Sequence, residues 1–174
     1  KYDPKGNELW TRQFGTAEDD YAYALAVDAG GNILVAGLTS GSLSGASAGG
    51  FDAFVRKYDP KGTVLWTRQF GTAEWDTANS LAVDAGGNIL VAGYTEGSLF
   101  GASAGGLDAF VRKYDPKGNE LWTRQFGTAE VDVATSLAVD AGGNILVAGG
   151  TFGSLFGDSA GSVDAFVINI NPNE

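Results

Sequence analysis

The residues of this 174-residue chain best placed to do chemistry are carboxylates. Glu18 with Asp20, Glu74 with Asp76 and Glu130 with Asp132 form three Glu-x-Asp pairs at matching places. Such spacing invites a calcium reading, but calcium takes about six to eight oxygen ligands, and one pair supplies too few without other loops or water. Loop-capping hydrogen bonds and a solvated acidic rim account for the pairs better. Asp28, Asp84 and Asp140 each open an Asp-Ala-Gly-Gly-Asn stretch and read as turn formers, not ligands. Acid and base catalysis needs two carboxyls in unlike environments, and three copies of one pair offer no asymmetry. The chain has no His and no Cys, which removes triads, Cys/His dyads and the usual zinc sites. The Gly-Ala-Ser-Ala-Gly-Gly segments lack the lysine and following helix of a phosphate loop. The expectation is a protein that is not an enzyme, with no cofactor and no bound metal.

Charge narrows the partners. Eleven Lys and Arg against 21 Asp and Glu leave −10, which repels phosphate backbones and anionic headgroups, so nucleic acid is not an expected partner. The longest apolar runs, such as Ile33 to Leu38, are strand-sized and fall well short of the roughly 20 residues of a membrane helix, so no membrane insertion is expected. No signal peptide is visible, and any targeting information is expected to lie outside these residues. The 44% hydrophobic content is ample for a core.

The elements that must position these groups repeat. KYDPKG begins at Lys1, Lys57 and Lys113, a period of 56 residues. The copies run over 1–56, 57–112 and 113–168, and the tail 169–174 (NINPNE) is a diverged start of a further KYDPKG. Each copy holds four segments of strand character bounded by turn chemistry. In the first copy they are Leu9 to Phe14, Tyr21 to Asp28, Asn32 to Leu38 and Phe51 to Tyr58. Asp-Ala-Gly-Gly-Asn joins the second to the third, and Asp-Pro-Lys-Gly joins the fourth to the next LWTRQF, both as tight hairpins. Gly15 to Asp20 and Thr39 to Gly50 are longer loops.

Four antiparallel strands at a fixed period indicate an all-β chain of β-propeller blades in preference to a stacked solenoid. Ala and Gly crowd YAYALAVD and NILVAG, as inner strands need where blades converge. Phe54, Tyr58, Trp66 and Phe70 are expected to fill the widening gap further out.

DAFVRKYDPKGxxLWTRQFGT, followed by AVDAGGNILVAG and a T-x-G, resembles the seven-bladed β-propeller repeat family of bacterial proteins. NHL-type propellers and quinoprotein dehydrogenase blades fit less well; against the quinoprotein alternative, Trp66 and Trp122 read as blade-docking residues. The resemblance implies an extracellular or cell-surface bacterial setting and names no ligand.

Closed propellers have roughly 4 to 8 blades, so three cannot surround a channel. The chain opens with an outermost strand, Leu9, Trp10, Thr11, Arg12, Gln13 and Phe14. It ends on a strand, Val163 to Ile170, that no LWTRQF follows. Closure is therefore expected between Leu9–Phe14 of one copy and Val163, Ala165, Phe166, Val167 and Ile168 of another. A homodimer is the favoured partner arrangement, with an open filament as the alternative.

The copies differ mainly in the two longer loops and beside them: Asp19, Trp75 and Val131; Tyr21, Thr77 and Val133; Leu38, Tyr94 and Gly150; Ser40, Glu96 and Phe152; Ser44, Phe100 and Phe156. One face of the propeller would thus carry the variation. It is a candidate binding face for a glycan or protein, comprising Asp19, Asp20, Tyr21, Trp75, Asp76, Tyr94, Glu96, Asp132 and Phe152. Neutral variation in lightly packed loops accounts for the same pattern.

Overall fold

The computed structural model describes residues 1–171. Among these residues there are eleven strands and no helix: β1 (Asp20–Val27), β2 (Ile33–Thr39), β3 (Asp52–Tyr58), β4 (Val64–Phe70), β5 (Asp76–Val83), β6 (Ile89–Thr95), β7 (Asp108–Tyr114), β8 (Glu120–Phe126), β9 (Asp132–Val139), β10 (Ile145–Thr151) and β11 (Asp164–Ile170). They form three antiparallel meanders: β1-β2-β3-β4, β5-β6-β7-β8 and the three-stranded β9-β10-β11. Every blade opens on the same aspartate, Asp20, Asp76 or Asp132, so blade boundaries cut across the 56-residue sequence copies.

The hairpins follow from their turn residues. Asp28 Oδ1 accepts the amides of Gly30 and Asn32, both at 2.9 Å, while Gly31 takes a φ of 76° that a side chain would resist. Asp59 does the same for Lys61 and Thr63 between β3 and β4. A bulge in β1 between Ala22 and Ala24 recurs in β5 between Ala78 and Ser80 and in β9 between Ala134 and Ser136. Gly37, Gly93 and Gly149 stand opposite these irregularities, where a Cβ would be driven into the carbonyl of Tyr21, Thr77 or Val133. That close approach explains the glycine in each ILVAG.

The apolar core lies between blades. Leu34, Ala36, Ala53 and Val55 of the first blade meet Leu81, Ile89, Val91 and Phe110 of the second. Leu90, Ala92, Ala109 and Val111 of the second meet Leu137, Ile145, Val147 and Phe166 of the third. The sheets converge where β5 packs between β1 and β9. Further out the gap widens and rings fill it, with Phe70 edge-on to Phe110 at 5.8 Å.

The structure departs from the sequence reading at one end. Leu9–Phe14 is not a strand of any sheet, although its repeats lie in β4 and β8. A strand needs a paired neighbour: β4 pairs with β3 and β8 with β7, whereas among the described residues Leu9–Phe14 is flanked only by Lys1 and Tyr2, through the Tyr2–Glu8 bridge. The last strand begins at Asp164 and not Val163. Residues 172–174 of the tail lie outside the described residues.

Candidate functional site

Two open surfaces, one at each end of the row of blades, are the most distinctive feature of the molecule. At the first end, residues 9–14 hold the place of an outer strand without a sheet. Trp66 Nε1 of β4 donates to Pro116 O at 3.3 Å, and Arg68 Nε donates to Gly118 O at 2.7 Å in the next blade. Trp10 Nε1 and Arg12 Nε repeat this on Pro60 O at 3.1 Å and Gly62 O at 2.8 Å. Phe14 lies edge-on to Phe54 at 5.7 Å with the Arg56 guanidinium 4.2 Å from its ring centre, as Phe70 lies against Phe110 and Arg112. The segment thus covers the first blade as β4 covers the second.

At the other end, β11 is the outer edge of a sheet that lacks its fourth strand among the described residues. The intact blades show what belongs there. Gln69 Nε2 donates to Gly41 O at 2.8 Å and Asp52 Oδ2 at 2.7 Å, while its Oε1 accepts the amides of Leu43 and Ser44. Gln125 makes the same bonds to Gly97 O and Asp108 Oδ2 and accepts from Phe100 N. The corresponding socket in the third blade is framed by Gly153, Phe156 and Asp164. It opens into a cavity of about 460 Å³ lined by Leu155, Phe156 and Asp164 to Val167 among others.

Burial marks the same two surfaces. Val55 and Val111 are fully buried, while Val167, their counterpart, is 75% exposed. Leu81 and Leu137 are 8% and 7% exposed, while Leu25 is 66% exposed. Tyr21 and Tyr23 stack at 6.2 Å beside Leu25, also open to solvent. Of the residues expected at closure, Val163 is half-exposed, Ala165 exposed and Ile168 partly covered, while Phe166 is buried against Phe126 at 6.1 Å. Sequence reading had not found Tyr23, Leu25 and Val27. Their signal was available, since an apolar alternation on an innermost strand needs a neighbouring blade on each side.

The candidate binding face divides in two. Trp75 and Phe152 are each about half exposed, Asp19 and Glu96 are exposed, and Tyr94 is partly buried on β6. Glu96 N donates to Trp75 O at 2.8 Å, Phe152 N to Val131 O at 2.8 Å and Ser40 N to Asp19 O at 2.9 Å, so the two variable loops of each blade are stitched together. Phe51 meets Trp75 edge-on at 5.3 Å and holds its ring upright.

Asp76 and Asp132, by contrast, are fully buried. Asp76 Oδ2 accepts the amide and hydroxyl of Thr72 at 2.6 and 3.0 Å, and Asp132 does the same with Thr128. Their carboxylates close the loop entering each blade. Burial between two blades pushes the Asp76 carboxyl above the usual carboxylate range, against the hydrogen bonds of Thr95 and Thr72. Asp20 occupies the same place at the open end. Burial is its largest influence too, but it is slight there, and Thr39, Thr16 and the Arg56 charge together hold that carboxyl below its ordinary value. The two carboxyls shift in opposite directions because burial outweighs the hydrogen bonds only at Asp76. Among the described residues no group of three or more His, Cys, Asp or Glu side chains is arranged to hold a metal.

The chain belongs to the beta-propeller repeat family, whose model matches residues 9–43, 65–101 and 121–157. Among curated proteins it is 34% identical over 129 residues to the regulatory protein FlaEY of Caulobacter vibrioides, covering 67% of this chain and 14% of that protein. It is 28% identical over 113 residues to an uncharacterised WD repeat-containing protein of Acanthamoeba polyphaga mimivirus, covering 58% of this chain and 8% of the relative. The chain therefore spans only a small part of the length of either. A crystal structure of a protein of unknown function from Bacteroides caccae aligns over 98% of this chain and 52% of its own, at 21% identity and a TM-score of 0.48.

Proposed function

We propose that this chain is a non-enzymatic, self-assembling propeller scaffold in which residues 9–14 of one copy complete the third blade of another. The observation that carries the reading is the complementarity of its two open surfaces: among the described residues, an outer-strand segment without a sheet, and a sheet without an outer strand. Each is a surface that the two internal junctions already cover. The register follows from β3 with β4 and β7 with β8, where Ala53 stands opposite Phe70, Phe54 opposite Gln69 and Lys57 opposite Trp66. Continued onto the third blade, Ala165 faces Phe14 of the second copy, Phe166 faces Gln13, Val167 faces Arg12, Ile168 faces Thr11 and Asn169 faces Trp10. An unpaired apolar edge is otherwise an aggregation hazard.

Ring size follows from arithmetic. Each copy brings three blades, and within the roughly 4 to 8 blades of closed propellers the one multiple of three is six, which is two copies. A junction whose rotation does not close would instead build a filament. Light scattering on the chain and on a variant lacking residues 1–14 tests the reading. A species of twice the chain mass is expected for the first and a monomer for the second; equal masses would refute strand donation.

A second reading rests on Trp75, whose exposed ring is held upright by Phe51 on the variable face and suits stacking on a sugar. It requires glycan-array binding that Trp75→Ala abolishes, and an array without hits counts against it.

A further inference from the structure

One outer strand differs from its siblings where it leaves the turn. Asn7-Glu8-Leu9-Trp10 and Asn119-Glu120-Leu121-Trp122 read alike, but Thr63-Val64-Leu65-Trp66 carries no acid. What the acid does is visible on the second blade. Glu120 Oε1 accepts the Thr123 hydroxyl at 2.7 Å, its Oε2 pairs with Arg112 at 3.4 Å, and Arg112 Nε donates to Thr123 Oγ1 at 2.6 Å. The same guanidinium is a hydrogen-bond partner of the Tyr114 hydroxyl. Arg112 and Thr123 are buried, at 7% and 2% exposed. Glu120, Arg112, Tyr114 and Phe70 line a groove of about 340 Å³ between the first and second blades.

The first blade repeats every member of this network except the carboxylate. Arg56 stands opposite Thr67 and Tyr58 opposite Val64, as Arg112 stands opposite Thr123 and Tyr114 opposite Glu120. Arg56 Nε donates to Thr67 Oγ1 at 2.8 Å. Arg56 and Tyr58 both lie against Phe14, the guanidinium 4.2 Å and the phenol ring 6.1 Å from its centre. Three donors on this face go without an acceptor. Among the described residues no carboxylate lies within ion-pair distance of Arg56. Asp20 feels its charge, but Asp20 Oδ2 is held by Thr16. The Thr67 hydroxyl accepts from Arg56 and donates to no protein group. The Tyr58 hydroxyl is buried with no hydrogen-bond partner, in a residue 3% exposed. Arg56 and Thr67 are only partly covered, so the gap is open to solvent.

We propose that this gap binds the carboxylate of an acidic ligand, seated on the Arg56 guanidinium and the Thr67 and Tyr58 hydroxyls in the place that the Glu120 carboxylate takes on the second blade. A guanidinium and a carboxylate make charge-assisted hydrogen bonds, the strong class. A donor buried without an acceptor costs free energy that such a ligand recovers. Val64 carries the first carbons of a glutamate stem but no carboxylate, so the missing piece is the size of acetate. Its side chain, 47% exposed, offers the ligand's aliphatic end an apolar surface. The site lies within one chain and needs no second copy.

The experiment titrates acetate into the full chain against chloride, at constant pH and ionic strength, and follows the arginine Nε–H signals by nitrogen-15 NMR. A saturable shift at Arg56 is expected, half complete at about 1–10 mM acetate, while Arg112, already paired, stays still. Val64→Glu supplies the carboxylate from within, as Glu120 does, and should raise the half-saturating concentration about tenfold or more. Glu120→Val should open a second site, read as a new saturable shift at Arg112. Capped glutamate in place of acetate separates the sources of the ligand: tighter binding than acetate assigns the site to a partner's glutamate side chain, and weaker binding to a free small acid. An Arg56 signal unmoved at about 100 mM acetate, well above the expected half-saturation, would overturn the proposal. Equal movement of every arginine, or a Val64→Glu chain that binds as the parent does, would overturn it too.

Discussion

Three chemically identical changes, Gln13→Ala, Gln69→Ala and Gln125→Ala, should have different consequences because only the neighbours differ. Gln69 and Gln125 each donate to a carbonyl and to a mostly buried aspartate, and accept from loop amides at 2.8–2.9 Å. A net hydrogen bond stabilises by about 0.5–1.5 kcal/mol and one to a charged group by about 1.5–3 kcal/mol, so truncation should cost about 2–4 kcal/mol after allowing for non-additivity. For a chain of this length that lowers Tm by about 6–12 °C. Gln13 has no such socket among the described residues of its own chain, so Gln13→Ala should leave the monomer Tm unchanged. It should weaken association instead, by the same 2–4 kcal/mol, or about 30-fold to several hundred-fold in Kd, through the socket at Gly153, Phe156 and Asp164. Thermal melts at low concentration and dilution light scattering separate the two effects. A fall in monomer Tm for Gln13→Ala matching that of its siblings, or unaltered association, would refute the register.

Gly93→Ala should destabilise by about 1–3 kcal/mol or more in urea titration, because its Cβ meets a backbone carbonyl of β5 and not a side chain that can move aside. Leu25→Asp and Val167→Asp should leave the monomer within about 0.5 kcal/mol of the parent yet abolish dimer in light scattering, whereas Leu81→Asp, at the covered counterpart, should prevent folding as read by circular dichroism. Burial pushes the Asp28 carboxyl up, but Lys57 Nζ at 2.8 Å and the bonds from Asn32 outweigh it and hold it at about 2. A depressed carboxyl stabilises fully above its unfolded value, near 3.8, and that stability disappears as pH falls through about 2. Melts from pH 5 to pH 2 should therefore show a loss that Lys57→Met reduces, and an equal loss in both proteins would count against the ion pair.

Much of this was legible because turns announce themselves. Asp28-Ala-Gly-Gly-Asn32 fixes its hairpin through its own side chains, and the small residues opposite each bulge are dictated by backbone contact. The phase of the blades was harder. A 56-residue period does not say where a blade begins, and only the aspartate that closes each entry loop marks it. Asp20, Asp76 and Asp132 were visible as a recurring motif, but a sequence does not tell a buried loop clamp from a solvated rim. Leu9–Phe14 misled for a related reason: a strand is a property of a pair, and identical residues form a strand in β4 and none at 9–14, which no described strand pairs.

The third blade also departs from its siblings in the side-chain network that ties a third strand to the outer strand beside it. Arg112 Nε donates to Thr123 Oγ1 at 2.6 Å, its NH1 pairs with Glu120 at 3.4 Å, and its guanidinium lies 4.2 Å from the centre of the Phe70 ring. Ile168 stands at that position in the last blade. In the inferred register it would face Thr11 of the second copy, whose hydroxyl already donates to Glu8 at 2.6 Å. The donor strand therefore carries the Thr and Glu of the network and the acceptor lacks its arginine. Ile168→Arg should complete it, with the guanidinium lying over Phe126 as that of Arg112 lies over Phe70. One hydrogen bond and a half-exposed ion pair together contribute about 1–2 kcal/mol, or roughly ten-fold tighter association, and the ion-pair share should fade at high salt. Glu8→Gln in the same chain should remove that salt-dependent share and leave the rest. Weaker association of Ile168→Arg would mean that Thr11 and Glu8 do not lie beside position 168, and that the junction between copies does not repeat the junctions within them.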